Sequence, residues 1–137
     1  GYTEQWIKAT LDYTDFSTAG TTNRIIPTEF SALTAGSALL YYKIKHSVAF
    51  SGGSVSAADV SLSMKGSAPT DFAETIDVNG PVSQTNYIAM ANTYTTNNNP
   101  EHGSAGSIYV KMNTTGDDID QLTAGDLEVW IKIAILT

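Results

Sequence analysis

Two stretches of this chain begin with the same four residues and continue in the same rhythm. They read Leu33-Thr-Ala-Gly-Ser-Ala-Leu-Leu-Tyr-Tyr-Lys-Ile44 and Leu122-Thr-Ala-Gly-Asp-Leu-Glu-Val-Trp-Ile-Lys-Ile133. Each alternates with a period of two, which is typical of a β-strand with one buried face. The stretches therefore predict two long strands, each preceded by a turn. Their similarity marks equivalent strands of two sheets or is a chance match. The predicted core face carries Leu40, Tyr42 and Ile44 in the first strand and Val129, Ile131 and Ile133 in the second.

Shorter alternating runs, separated by segments rich in Gly, Asn and Pro, predict the rest of the fold. Together with the two long strands, at Ala38–Phe50 and Leu127–Leu136, they give about eight strands. The shorter strands are Ile7–Tyr13, Arg24–Ile26, Val60–Met64, Ala73–Val78, Tyr87–Ala91 and Ile108–Met112. The sequence therefore predicts an all-β fold, a single-domain two-sheet β-sandwich of the jelly-roll or Greek-key type over residues 1–137. Residues 1–6 are expected to form an extended N-terminal arm.

Composition narrows the possible partners. The chain of 137 residues has no cysteine, and its 14 acidic residues against 7 basic ones give a net charge of −7. Such a surface repels phosphate backbones, so we expect no nucleic-acid partner. No apolar run approaches the roughly 20 residues that span a bilayer, so we expect no membrane partner and a soluble protein.

Chemistry-bearing residues are few. We interpret His46, in phase with the apolar face of the third strand, as a core histidine, and His102 as a solvated loop residue. The acidic run Gly116–Asp120, with Asp126 nearby, offers oxygen ligands to Ca²⁺ but lacks the spacing of a Ca²⁺ loop, so we interpret it as a hydrated turn. The sequence contains no nucleophile elbow, phosphate-binding loop or dinucleotide fingerprint. We therefore expect no catalytic residues, no cofactor and no metal, and a protein that is not an enzyme.

The strand face opposite the predicted core carries aromatic and lysine side chains. Tyr41 and Lys43 lie there on one long strand, and Trp130 and Lys132 on the other. Large aromatics on an outer face need cover, which comes from other chains of an oligomer, from a partner surface, or from a loop or the N-terminal arm. The candidate oligomer or capsid contacts are Tyr2, Trp6, Tyr41, Lys43, Trp130 and Lys132.

Two segments resemble small virion proteins of tailed bacteriophages. They are Lys43-Ile-Lys-His-Ser-Val-Ala-Phe-Ser-Gly-Gly-Ser-Val-Ser56 and Gln121-Leu-Thr-Ala-Gly-Asp-Leu-Glu-Val-Trp-Ile131, and the resemblance extends roughly from Ile7 to Leu136. It implies a jelly-roll capsid decoration (cement) or head-fibre protein. Such a protein stabilises the capsid by binding across neighbouring major capsid subunits, commonly as a homotrimer on the outer surface of the virion.

A second function class stays open. The alternative is a carbohydrate or receptor-binding β-sandwich module of a phage head or tail fibre. Its site would use the loop Asn92–Gly106, with Tyr87, Tyr94 and Tyr109 stacking on sugars. Aromatic and amide side chains in such loops are typical of lectin-like jelly rolls.

Overall fold

Two antiparallel sheets form the described part of the chain. The computed structural model describes residues 2–31, 38–64, 70–71, 75–80, 85–89 and 108–136. Within these ranges there are nine strands and, apart from short 3₁₀ turns, no helix. The strands are β1 (Tyr2–Asp12), β2 (Thr22–Ile25), β3 (Ala38–Ser51), β4 (Ala57–Met64), β5 (Thr70–Asp71), β6 (Ile76–Asp77), β7 (Thr85–Ala89), β8 (Ile108–Thr115) and β9 (Ala124–Leu136). The predicted all-β, two-sheet sandwich is confirmed.

The order of the strands identifies the type of sandwich. One sheet has the order β1-β9-β3-β7, and the other has the order β2-β8-β4, with β5 and β6 both paired to the far side of β4. The first strand thus pairs with the last, the second with the last but one, and the third with β7, which leaves β4 to pair with β5 and β6. This nested antiparallel pairing, folded across two sheets, is a jelly roll. We call the sheet that contains β1 and β9 the first sheet.

The core lies between the two sheets. In β8 the exposure of successive residues alternates strictly, with Ile108, Val110 and Met112 fully buried, as expected for a strand that has one face on a core. The first sheet contributes Ala9, Leu11, Leu39, Tyr42, Ile44, Phe50, Leu127, Val129, Ile131 and Ile133. Most of the predicted core face is therefore confirmed.

Three irregularities in β3 overturn part of that prediction. The fourteen residues of β3 lie opposite eleven residues of β9, and the register shifts between Leu39 and Tyr41, between His46 and Val48, and between Val48 and Ser51. Each shift is a β-bulge, which adds one residue to one strand and bends it. Leu40 is the residue added at the first shift and is only partly buried, and Val48, which follows the second shift, is 40% exposed. The prediction that Leu40 belongs to the core was wrong, and Val48, which alternates in phase with Ile44 and Phe50 along the sequence, also lies outside the core.

The strands at the two ends of the chain also differ from expectation. Residues 2–6, expected to form an arm, continue β1, and Tyr2–Asp12 pairs along its whole length with Asp126–Leu136. The two long strands with similar sequences, β3 and β9, are neighbours in one sheet and not equivalents in two sheets. The stretch 33–36 and the loop 92–106 lie outside the described residues. The first two residues of the predicted strand Ala73–Val78 do so as well, and Ile76–Asp77 of that strand form β6.

One glycine of the second similar stretch fixes the start of β9. Gly125 has a φ of +146°, a backbone conformation that side-chain-bearing residues rarely adopt. A Cβ atom there would lie 2.5 Å from Cγ and 2.7 Å from Cε2 of the buried Phe50 ring. Phe50 in turn packs edge-on against Phe16, with ring centroids 6.3 Å apart. The glycine therefore lets β9 begin directly against an aromatic part of the core.

Candidate interaction face

Alternating lysine and aromatic side chains cover the outer face of the first sheet. In one row across the strands, Lys132 of β9 lies between Trp6 of β1 and Tyr41 of β3. In the next row, Trp130 of β9 lies between Lys8 of β1 and Lys43 of β3. We call these six residues the lysine–aromatic face. They include five of the six predicted contact residues; the sixth, Tyr2, begins β1 opposite Leu136.

Cation–π contacts connect the members of each row. The Nζ atoms of Lys8 and Lys43 lie 5.2 Å and 4.6 Å from the centroid of the Trp130 ring. Lys132 Nζ lies 6.0 Å and 5.5 Å from the ring centroids of Trp6 and Tyr41. Such contacts contribute about 0.5–1 kcal/mol each at exposed sites. They hold the rings and ammonium groups in one layer.

Acidic neighbours fix two members of the face. The Trp130 Nε1–H group donates to Glu128 Oε2 at 3.3 Å, and Lys132 Nζ lies 3.0 Å from Glu4 Oε2. Both glutamates lie on the same outer face, one row beyond the aromatic rows at either end. The two large rings and the central ammonium group are therefore positioned before any partner arrives.

The face remains accessible in the single chain. Trp6 is 39% exposed, the Lys132 side chain is 24% exposed, and Tyr41, Lys43 and Trp130 are half-buried. The N-terminal residues do not fold over the face. Trp6 belongs to β1 and is itself a member of the face, paired with Lys132 of β9. Lysine Nζ atoms lie near the rings of Trp6, Tyr41 and Trp130.

Charged residues of both signs lie on this side of the first sheet. Lys45, exposed on β3 opposite Glu128, adds a fourth lysine to the three of the lysine–aromatic face. Alternation along β1 and β9 puts Glu4, Asp12, Asp126 and Glu128 on the same side. Four lysines and four carboxylates therefore share this outer side, whereas the whole chain carries a net charge of −7. The lysines lie in and beside the two aromatic rows, and Asp12 and Asp126 lie at the end of the strands.

An acidic end terminates the same strands. It consists of Asp12, Asp15, Asp117, Asp118, Asp120 and Asp126. Asp12 and Asp126 are directly opposed at the end of the β1–β9 pair, and a cleft of about 190 Å³ joins the 3₁₀ turns Tyr13–Asp15 and Ile119–Gln121. Six carboxylates thus lie at one end of the sandwich.

Two of these carboxylates are structural. Asp117 accepts hydrogen bonds from the backbone N–H groups of Ser54 and Asp118, both at 2.9 Å, and these bonds lower its pKa. The Asp12 side chain caps the 3₁₀ turn that follows it by accepting from Thr14, and this bonding lowers the pKa of Asp12. Among the described residues, no group of three or more potential ligands is arranged to hold a metal ion. The interpretation of Gly116–Asp120 as a hydrated turn accords with this role in turn formation.

Asp59 lies apart from the acidic end, on the second sheet. It pairs in register with Asp77, and burial is the main cause of its raised pKa. The neighbouring negative charge of Asp77 acts in the same direction, while Lys111 opposes it. Ionisation of the Asp59 carboxyl at neutral pH therefore opposes folding.

The remaining predicted residues do not converge on a second site. His46 is buried, and its Nε2 lies 3.4 Å from the Gly80 carbonyl oxygen, so its interpretation as a core histidine is confirmed. His102 and Tyr94 lie outside the described residues. Tyr87 belongs to β7 of the first sheet and Tyr109 to β8 of the second, so two of the three tyrosines proposed to stack on sugars are on different sheets. No helix in the described part of the chain is long and apolar enough to cross a membrane.

The fold is similar to that of viral capsid chains. A chain of the Cyanophage Pam1 capsid asymmetric unit matches 99% of this chain and 87% of its own length, with 14% identity and a TM-score of 0.59. Chains from the acid-stable capsid of Helicobacter pylori bacteriophage KHP30 and from Tomato Aspermy Virus match with TM-scores of 0.45 and 0.47. Their identities are 12% and 14%, and the matches cover 100% and 99% of this chain and 98% and 79% of the respective chains. No protein-family model matches the sequence, and no curated protein is significantly similar to it. At this level of identity the likeness establishes the jelly-roll fold alone.

Sequence reasoning missed Lys8, Glu4 and Glu128 as neighbours of the face. Their place follows from the register of β1 on β9, in which Lys8 pairs with Trp130 and Glu4 with Ala134. Alternation along β1 does place Lys8 on the other face of the strand from Ile7 and Ala9, so Lys8 could have been assigned to an outer face. Alternation within a strand does not reveal which strand is its neighbour, so the contact with Trp130 could not be predicted.

Proposed function

We propose that this chain is a virion structural protein that decorates a tailed-phage capsid and stabilises it by binding across neighbouring major capsid subunits. It acts as a homotrimer on the outer surface of the particle, without catalysis or a cofactor. The observation that carries the proposal is the match over 99% of the chain to a protein chain of a phage capsid asymmetric unit. Because the match also covers 87% of that chain, the two chains are similar in length, and the capsid chain carries little beyond this fold.

The shape and chemistry of the described residues suit this role. A protein that resists internal pressure gains from rigid elements and from large interfaces, and both sheets are continuous antiparallel ladders around a closed core. Binding only the assembled shell stabilises that shell by mass action. The lysine–aromatic face, with the predicted contacts Trp6, Tyr41, Lys43, Trp130 and Lys132, offers a preformed surface for oligomer or capsid contacts. Tyr2 remains a proposed contact at the start of β1.

The experiment uses phage particles from which the protein has been stripped. Adding the purified chain back should raise the temperature at which the particles release DNA, and the bound copies should saturate at a number set by capsid symmetry. Trp130→Ala should weaken this protection because it removes the central ring of the face. Glu29→Lys, an exposed change outside the face, is the matched control and should protect as the unaltered chain does. Particles whose release temperature is unchanged by a saturating amount of the chain would refute the proposal.

A further inference from the structure

We infer that the cleft between the two 3₁₀ turns, at the acidic end of the sandwich, binds a single neutral sugar ring. The inference goes beyond the proposed capsid role, because no residue that lines the cleft belongs to the lysine–aromatic face. The cleft has a volume of about 190 Å³. Pockets for drug-sized ligands have volumes of about 300–1,000 Å³, so this cleft suits one small ring and not a larger molecule.

The lining of the cleft combines the two kinds of surface that a sugar ring requires. Phe16, Ile119 and Leu122 are apolar and buried, and they form its floor. A pyranose ring has C–H groups on its faces and hydroxyl groups around its edge. It can therefore pack on apolar and aromatic side chains while its hydroxyl groups form hydrogen bonds with a polar rim. The rim of this cleft is half-buried or exposed and consists of Tyr13, Thr14, Ser17 and Asp120.

The polar rim can both accept and donate hydrogen bonds. The Asp120 carboxylate accepts from Gln121 Nε2 at 3.2 Å, and an ionised carboxylate has about four acceptor sites. The Thr14 hydroxyl donates to Asp12 Oδ1, and its oxygen can still accept. The exposed Ser17 hydroxyl can act in either direction. Neighbouring sugar hydroxyls can therefore donate to Asp120 and accept from Ser17.

Backbone hydrogen bonds hold the two sides of the cleft together. The Ile119 N–H group donates to the Gly20 carbonyl oxygen at 2.9 Å, and the Asp120 N–H group donates to the Thr18 carbonyl oxygen at 3.1 Å. These bonds join the segment that follows the first 3₁₀ turn to the second turn. A site that is already formed loses less conformational entropy when a ligand binds.

The charge around the cleft limits the class of sugar. Asp120 is one of the six carboxylates at this end of the sandwich. A uronic acid, a sialic acid or a sugar phosphate would bring a further negative charge toward them, and like charges repel. A neutral sugar avoids this repulsion, and its hydroxyl groups form strong hydrogen bonds with an ionised carboxylate. The ligand class is therefore a neutral pyranoside.

The test is an NMR titration of the full chain with the methyl pyranosides of glucose, galactose, mannose and N-acetylglucosamine. At least one of these sugars should shift the backbone amide signals of residues 13–17 and 119–122. Its Kd should be on the order of 1 mM, since a small polar ligand gains little binding energy per atom. Glucuronic acid should bind more than about tenfold more weakly, because its carboxylate is repelled.

Two variants and a matched control locate the site. Ser17→Phe fills the cleft from an exposed position and should abolish the shifts. Asp120→Asn replaces the charged acceptor by an amide and should raise the Kd about tenfold. Asp118→Asn removes the same charge at the same end, but Asp118 does not line the cleft and its side chain makes no capping bond, so the Kd should not change. Amide signals elsewhere in the spectrum verify that each variant is folded.

Three results would overturn the inference. They are the absence of shifts in these residues with every neutral sugar well above 1 mM, shifts that persist in Ser17→Phe, and glucuronic acid binding as tightly as the neutral sugars.

The proposed function is tested separately by the same chains. Trp130→Ala should bind the sugar as the unaltered chain does, and Ser17→Phe should still protect stripped particles. A chain that protects particles but binds no sugar overturns the sugar site and leaves the decoration role standing. A chain that binds sugar but leaves particle stability unchanged overturns the decoration role and leaves the sugar site standing.

Discussion

Replacing Gly125 with alanine should destabilise the fold strongly. Two costs add at this position. A side chain at a φ of +146° costs about 1–3 kcal/mol, and forcing a methyl group against the Phe50 ring costs about 1–3 kcal/mol more. The free energy of unfolding should therefore fall by about 2–6 kcal/mol, a large part of the about 5–15 kcal/mol that is typical of a domain.

The assay is urea unfolding followed by tryptophan fluorescence. The midpoint should fall with an unchanged slope, because the change acts on the folded state and not on the surface exposed by unfolding. Gly20→Ala is the matched control, since nothing lies within 4 Å of a Cβ atom there and its φ is not in the left-handed region. Its free energy of unfolding should stay within about 0.5 kcal/mol of the unaltered chain.

A double variant identifies the cause of the loss. If the Phe50 ring is what the new methyl group meets, Phe50→Leu should cost less in the Gly125→Ala background than alone, with a coupling above about 1 kcal/mol. A loss below about 1 kcal/mol for Gly125→Ala, or two changes that simply add, would refute this account of how β9 begins.

Three further predictions concern charge and the bulges. Asp59→Asn should stabilise the chain at pH 7 and not at pH 3. The pKa of Asp59 is raised in the folded chain, so ionising this carboxyl lowers the free energy of unfolding fully above the folded pKa and not at all well below the ordinary value of 3.8. Equal denaturation midpoints for the variant and the unaltered chain at pH 7 would contradict this prediction. Asp117→Asn should lower the thermal midpoint at pH 7, and the difference should shrink as the pH falls from 3.8 through the lowered folded pKa, as calorimetry across that range would show. Val48→Thr should change the free energy of unfolding by less than about 0.5 kcal/mol, whereas Val129→Thr in the core should lower it by about 1–3 kcal/mol. Urea unfolding measures both values, and a similar loss of stability for the two variants would mean that Val48 does not lie on the outer side.

The period of two in the sequence predicted which side chains of a single strand face the core. The facing of Tyr42, Ile44, Val129, Ile131 and Ile133 toward the core follows from alternation, and all five are buried. The two-sheet class follows from several short strands joined by turns.

Irregularity and register could not be predicted. The bulges that expose Val48 depend on how β3 bends along β9, and nothing local in Ser47 or Val48 announces an extra residue. Likewise, the polar residues at the start of β1 do not have the sequence pattern of a strand. Residues 2–6 form a strand because they pair with the apolar end of β9. Tertiary pairing decided both positions.

The pairing of β1 with β9 also bears on when the lysine–aromatic face forms. Tyr2 and Leu136 are partners in the ladder, so the lysine–aromatic face is built from the two extremes of the described chain. Contacts so distant in sequence form late and slowly. A chain still emerging from the ribosome has Trp6 and Lys8 but not yet Trp130 and Lys132. The lysine–aromatic face is therefore complete only when the fold is complete, and any contact that uses the whole face requires a finished chain.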